Sequence, residues 1–136
     1  MVWRMRRMQA VYYRDPDGVE PVRAWLDQLD VQARVAVARQ MRKLNDLLEN
    51  EPPLPFPHAS QVRGELRELR CHCGRRLYRI LYRRSGSLFV LLHGFAKHTD
   101  ALPEAEIAVA SSRWDDFRAR MDDALRLRRP AGRDAP

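Results

Sequence analysis

Arginine dominates the stretch GELRELRCHCGRRLYRILYRR, which runs from Gly64 to Arg84. The stretch contains seven arginines and only two acidic residues, Glu65 and Glu68. Arginine suits phosphate because its planar guanidinium forms two parallel, permanently charged hydrogen bonds. A cluster of one charge sign on strand-like segments therefore predicts a surface that binds a polyanion. The alternative is a solvated surface with an acidic segment folded over it.

The polar side chains near these arginines suit the cleavage of RNA without a metal. In that reaction the neighbouring 2′-OH attacks the phosphorus, so the protein must hold the phosphate, stabilise its charge and move two protons. Histidine exchanges protons near neutral pH, and lysine does so where neighbouring cations lower its pKa. Tyrosine can stack on a base or donate a proton. Few carboxylates occur in the central strands, which argues against a Mg²⁺ centre.

Metal and nucleophile motifs are weak or missing in the sequence. Cys71-His72-Cys73 would need further ligands from distant histidines to bind zinc, and it lacks the usual paired spacing. Two small buried thiols are the better interpretation of this motif. The sequence contains no Gly-rich phosphate loop, no G-x-S-x-G and no helical pair of histidines. We therefore predict neither a metal nor a cofactor.

Length and charge indicate one small basic domain. The chain has 136 residues, 45% hydrophobic residues and a net charge of +7, which is enough for one core. We expect a single domain over 1–136, with a compact core at about 9–121 and basic, frayed ends at 1–7 and 127–136. No apolar run approaches the roughly 20 residues of a membrane span, and the N-terminus lacks the apolar region of a secretory signal. We therefore expect a cytoplasmic protein without a membrane partner.

The hydrophobic patterns predict the order β-α-α-β-β-β-α. A helical hairpin should pack on a small, mainly antiparallel sheet, which is an α+β fold. The predicted elements are a strand at Met8–Arg14, a helix from Pro21, a second helix capped by Asp30, a proline-rich loop at Asn50–Ser60, strands at Glu65–Cys73, at RLYRILYRR and at Leu88–Phe95, and a last helix at about Pro103–Met121.

Three of these segments together resemble a known family. ELR (Glu68–Arg70), YRILY (Tyr78–Tyr82) and LLHGFAKHT (Leu91–Thr99) are followed by a proline and a helix with EIAVA. In order and spacing they resemble the phage-associated HigB-like branch of the RelE/ParE toxin superfamily, over roughly residues 9–118. The resemblance implies a RelE-like fold, metal-independent cleavage of mRNA on the ribosome, and a cognate antitoxin, often a helix-turn-helix protein.

The resemblance also implies site residues. By position, Arg70 and Arg79 match the family's basic strand positions, and we predict that they clamp the phosphate. Lys97 matches the first lysine of the family's GF-x-K-K-T pattern, and His98 replaces the second. These four are the predicted catalytic residues. Five others are predicted to bind RNA: Arg67, His72, Arg75, Arg76 and Tyr82.

Structural alternatives stand beside these assignments. Arg70 could form a salt bridge only, and Arg79 could be partly buried beside an acid. Tyr82 shares a face with Ile80, so it could pack in the core. His93, inside an apolar strand, is interpreted as a core histidine with its hydrogen bonds satisfied.

Two other functions compete with the ribonuclease. One is a ParE-like toxin, which shares the fold but inhibits DNA gyrase without an acid–base pair. The other is a non-toxic basic module that binds nucleic acid, with salt-dependent affinity but without cleavage.

Overall fold

The computed structural model describes residues 6–98, 102–122 and 131–136. Over these residues the chain forms three helices and six strands, which confirms the predicted α+β class. In chain order they are β1 (Gln9–Tyr13), α1 (Pro21–Asp27), α2 (Val31–Asn45), β2 (Ala59–Arg63), β3 (Leu66–Cys73), β4 (Arg76–Ser85), β5 (Leu88–Ala96), α3 (Glu104–Asp122) and β6 (Ala131–Ala135). None of the described helices combines the length and the apolar composition that crossing a bilayer requires.

The strands form one sheet in the order β2-β3-β4-β5-β1-β6. β1 runs parallel to β5, and all the other neighbours are antiparallel, as predicted. Short turns join β3 to β4 and β4 to β5, and in them Gly74 (φ 61°) and Gly86 (φ 60°) adopt the left-handed conformation. Glycine reaches this conformation without the steric cost that a Cβ atom adds. These turns therefore help to fix the register of the three central strands.

Helices cover both faces of the sheet. α1 and α2 pack on one face, which we call the hairpin face, through buried side chains at helical spacing: Val22, Leu26, Ala33, Val37, Met41 and Leu44. α3 packs on the opposite face, the α3 face, through Ile107, Ala110, Trp114 and Phe117. Successive residues of β5 alternate between these two cores. This double burial explains why nearly every residue of β5 is apolar.

The helix boundaries follow the predicted sequence signals. Pro21 occupies the first turn of α1, where its missing N–H has no cost. Asp30 caps α2, because its Oδ1 accepts a hydrogen bond from the backbone N–H of Ala33 at 2.8 Å. Met121, the last residue of the predicted final helix, is 43% exposed.

Two edge strands correct the predicted order of elements. β2 begins directly after the proline-rich loop, and β6 lies in the tail that was expected to be frayed. β6 pairs with β1, and near the other end of the chain Arg7 forms an isolated bridge with Leu48. Both strands are short and neither has an apolar alternation, because an edge strand makes few core contacts. The other residues of the predicted frayed ends, 1–5 and 127–130, lie outside the described residues.

Candidate nucleic-acid interface

The strand register brings four of the predicted site residues together on the α3 face. Arg70 of β3 pairs directly with Arg79 of β4, and Arg79 is two residues from Leu81, which lies in the α3 core. His72 follows on β3, opposite Leu77. The N–H of Lys97 donates to the carbonyl of Leu77 at 2.8 Å, which places Lys97 at the end of β5 beside the same row. Arg70, His72, Arg79 and Lys97 are called the basic row below.

Glu68 lies between the two arginines of the basic row. Arg79 is 2% exposed, and its Nη1 forms an ion pair with Oε1 of Glu68. The same oxygen accepts a hydrogen bond from the hydroxyl of Ser60 at 2.8 Å and lies 3.8 Å from Nη1 of Arg70. Burial lowers the pKa of the Arg79 guanidinium, and the carboxylate of Glu68 opposes that shift. This ion pair matches the alternative that placed Arg79 beside an acid.

The charges and hydrogen bonds of this cluster are not balanced by the protein alone. Two guanidinium groups face one carboxylate, so one positive charge remains in excess. Within the described part of the chain, the Nε atoms of Arg70 and Arg79 and Oε2 of Glu68 are buried without a hydrogen-bond partner. Buried polar groups normally have partners. An anion such as a phosphate would balance the excess positive charge and would accept hydrogen bonds from the guanidinium group that it reaches. The guanidinium of Arg70 is the more exposed of the two.

A loop aromatic that the sequence analysis missed borders the cluster. The guanidinium carbon of Arg70 lies 4.8 Å from the centre of the Phe56 ring. Phe56 is 68% exposed and stands between Pro55 and Pro57. The sequence offered one signal for Phe56, which is a single aromatic residue in a run of prolines. Its position beside β3 is seen only in the tertiary structure.

Lys97 and His98 directly follow β5. Lys97 is half-buried and His98 is exposed, and the residues after them, 99–101, lie outside the described part. His98 is therefore accessible from solvent.

His93 forms a polar cluster between β5 and α3. Its Nε2 contacts the carboxylate of Glu106, and Nη1 of Arg113 lies 3.3 Å from its Nδ1. Phe95 stacks on its ring at a centroid distance of 5.6 Å. Burial lowers the pKa of His93, while Glu106 acts in the opposite direction. These contacts agree with its interpretation as a satisfied histidine.

Other predicted RNA-binding residues lie away from the basic row. Tyr82 is 1% exposed on the hairpin face, where its hydroxyl accepts a hydrogen bond from Nε of Arg67 at 3.4 Å. Arg67 also donates to the carbonyl of Leu54 at 2.9 Å. The Tyr82 ring is enclosed in the core, so it has no accessible face for a base, and its assignment as a stacking residue is corrected here.

The turn between β3 and β4 holds the last two predicted RNA-binding residues. Nη1 and Nη2 of Arg76 contact the two carboxylate oxygens of Asp30 at 2.5 and 3.5 Å. Asp30 is the cap of α2, so Arg76 joins the turn to the helical hairpin. Arg75 is exposed at the tip of the turn. Arg75 therefore faces solvent, whereas Arg76 is paired with Asp30.

The structure describes no metal-binding group of side chains. In residues 6–98, 102–122 and 131–136, no three histidine, cysteine or acidic side chains are placed to hold a metal ion together. Cys71 is buried and Cys73 is half-buried, and both are free thiols. Burial raises the pKa of the Cys71 thiol to about 12. Cys71 therefore fits the interpretation of a small core residue.

Comparison with protein families gives a match over most of the chain. The family described as phage-derived protein Gp49-like (DUF891) matches residues 24–115, which is more than half of the chain. The matched range includes the basic row, Phe56 and Glu106. No curated protein matches the chain.

Proposed function

Because this chain belongs to the phage-derived Gp49-like family, a RelE/HigB-like toxin family of toxin–antitoxin systems, we propose that it is a toxin that cleaves mRNA. The α+β fold is compatible with such a toxin. In this proposal the ribosome presents the mRNA, and a helix-turn-helix antitoxin neutralises the protein. The resulting loss of intact mRNA arrests translation.

The observation that supports this proposal is the unbalanced pair of arginines around Glu68. A buried guanidinium with an unpartnered Nε is suited to a phosphate oxygen, because the group stays charged and presents its donors in a fixed plane. Arg70 and Arg79 come from neighbouring strands and are directly opposite each other. Arg70, the more exposed of the two, would donate to a phosphate, and the buried Arg79 would add its charge from the neighbouring rigid strand, which is what stabilising charge in a transition state requires.

The proposed reaction uses the substrate's own nucleophile. The 2′-oxygen forms a bond to the neighbouring phosphorus, and the bond from phosphorus to the 5′-oxygen breaks. A base accepts the proton of the 2′-OH, and an acid protonates the leaving 5′-oxygen, so the products carry a 2′,3′-cyclic phosphate and a 5′-hydroxyl. We assign the charge stabilisation to Arg70 and Arg79. Lys97, His98 and His72 are the proposed candidates for the two proton transfers.

Induced expression in bacteria tests the proposal directly. Growth and the 5′ ends of cellular mRNA are followed together for the wild type, Arg70→Ala, Lys97→Ala and His98→Ala. We expect arrest with new mRNA ends for the wild type. Loss of one donor of this kind lowers the rate by about 10²–10³-fold, so cleavage by Arg70→Ala purified protein on programmed ribosomes should fall by that factor.

Two control variants separate the site from general effects. Arg42→Ala removes an exposed arginine from α2, on the hairpin face, and should cleave like the wild type. Arg70→Lys keeps the charge but loses the planar fork, so it should recover only part of the activity. Far-UV circular dichroism confirms that each variant is folded.

Growth arrest with intact mRNA would contradict the proposed ribonuclease activity and would favour gyrase inhibition instead. In that case gyrase supercoiling assays with the purified protein should show inhibition. A folded protein that causes neither arrest nor cleavage would leave only a nucleic-acid-binding module.

A further inference from the structure

Phe56 is a large aromatic residue that the fold leaves in solvent. It is 68% exposed, the highest value among the exposed large hydrophobic residues of the described chain. Its ring nevertheless has a defined neighbour, because the guanidinium of Arg70 lies over it at 4.8 Å. The exposed ring therefore lies at the edge of the cluster formed by Glu68, Arg70 and Arg79.

Backbone contacts hold the loop that carries this ring. The N–H groups of His58 and Ala59 both donate to the carbonyl of Pro55, at 3.0 and 3.1 Å. The N–H of Arg70 then donates to the carbonyl of His58 at 2.8 Å, which ties the loop to β3. Pro55 has a fixed φ, so this part of the loop has few alternative conformations. These contacts hold the backbone of the loop beside β3, and the Phe56 ring then lies next to Arg70 without being buried.

We propose that Phe56 is a stacking platform for a nucleobase of the RNA strand whose phosphate contacts Arg70. The inference rests on the proposed ribonuclease function and adds a base-binding subsite to it. Arg70 covers part of the ring, and the exposed remainder offers a flat apolar surface. Every base has a π-face, so such a platform binds single-stranded RNA with little dependence on sequence. The pairing of a cation with an aromatic ring is the usual composition of such grooves.

A structural alternative is that Phe56 only shields the side chain of Arg70 from water. Shielding requires an apolar side chain of similar size, whereas stacking requires an aromatic ring. Phe56→Leu preserves the first property and removes the second. Phe56→Trp keeps an aromatic ring and enlarges its surface.

Equilibrium binding separates the two roles. Fluorescein-labelled hexanucleotides of 2′-O-methyl adenosine and 2′-O-methyl uridine cannot be cleaved through the 2′-oxygen, and a six-unit abasic sugar–phosphate strand lacks the bases. Affinity is measured by fluorescence anisotropy at low salt with the full-length protein. Stacking contributes about 1–3 kcal/mol per base, so Phe56→Ala and Phe56→Leu should weaken binding of both hexanucleotides by about 5- to 150-fold. Phe56→Trp should bind them at least as tightly as the wild type.

The abasic strand and matched variants decide the result. Phe56→Leu should bind the abasic strand like the wild type, while Arg70→Ala should lose affinity for all three probes. Val31→Ala removes a 65% exposed apolar side chain from α2 and should change nothing.

Unchanged hexanucleotide affinity in Phe56→Leu, together with a loss in Arg70→Ala, would overturn the stacking platform and leave the proposed function intact. Equal weakening of the base-containing and abasic probes by Phe56→Ala, with recovery in Phe56→Leu, would identify shielding and also overturn it. A wild-type protein that binds no probe would refute the subsite together with the RNA-binding function.

Discussion

Glu68→Gln should destabilise the folded protein by about 3–5 kcal/mol, because removal of one partner leaves a buried charge uncompensated. Arg79 is 2% exposed, and Glu68 is the acidic residue with which it forms its ion pair. Glutamine has nearly the size of glutamate, and its carbonyl can still accept the hydrogen bond of Ser60. The substitution therefore removes the charge and leaves the packing. A small domain has about 5–15 kcal/mol of total stability, so this loss is large.

Urea unfolding followed by far-UV circular dichroism measures the effect. With an m-value of roughly 2 kcal/mol/M, the midpoint should fall by about 2 M. Arg79→Met should cost a similar amount, since it leaves Glu68 buried beside Arg70 alone. The double variant Glu68→Gln/Arg79→Met should recover most of the stability, because replacing both members of a buried pair is often close to neutral.

Glu65→Gln provides the matched control. Glu65 also pairs with an arginine, Arg83, at 2.8 Å, but its side chain is 78% exposed. An exposed pair contributes about 0–1 kcal/mol, so the midpoint should hardly move. If Glu68→Gln behaves like Glu65→Gln, or if the two single losses simply add in the double variant, the buried pair is not coupled and the reasoning is wrong.

Three further outcomes follow from particular contacts. Under conditions where Glu68→Gln remains folded, it should bind the 2′-O-methyl hexanucleotides more tightly than the wild type. The reason is that the Glu68 carboxylate no longer competes with the RNA phosphate for the two arginines. Weaker binding would contradict this competition. Gly94→Ala should destabilise the fold by about 1–3 kcal/mol in thermal or urea unfolding, because a Cβ atom there would lie 2.3 Å from Cε3 of Trp25; an unchanged midpoint would contradict tight packing of α1 on β5. Burial raises the pKa of Cys71 to about 12, and burial with the Asp116 hydrogen bond raises the pKa of Tyr13 to about 12. Both groups lose their protons at lower pH in the unfolded chain, so the free energy of unfolding should fall between about pH 9 and pH 12. Tyr13→Phe should make the upper part of that fall less steep when urea unfolding is measured as a function of pH. A variant with the same pH profile as the wild type would contradict the assignment to Tyr13.

Strand alternation was sufficient to predict which residues share a face. Side chains repeat every two residues along a strand, and glycine-containing turns fix how β3 and β4 pair. The placement of Arg70, His72 and Arg79 on one face therefore follows from local sequence. The pairing of Arg79 with Glu68 does not follow from it. The Glu68 carboxylate also accepts a hydrogen bond from Ser60, which lies on an edge strand without a hydrophobic alternation that would predict it.

Tyr82 and Phe56 show what residue type and local pattern could not predict. Tyr82 has the residue type of a stacking group, but it points to the hairpin face, where the helices enclose it. Phe56 lies in a proline-rich loop without periodicity, so its contact with Arg70 is a long-range tertiary contact that composition cannot reveal. Residue type alone favoured Tyr82, whereas exposure next to a cation favours Phe56.

The charge of the arginine-rich stretch is also a poor measure of the surface that could bind RNA. Four of its seven arginines have structural partners on other segments: Arg67 with the carbonyl of Leu54, Arg76 with Asp30, Arg83 with Glu65 and Arg84 with the carbonyl of Glu49. These contacts attach loops, a helix cap and a hairpin to the sheet. The cluster of Arg70 and Arg79 differs because its two guanidinium groups share one carboxylate. Glu68 supplies a charge that stabilises these two arginines, and one positive charge of the pair remains in excess. If the cluster binds RNA as proposed, the same carboxylate also limits how strongly it binds a phosphate.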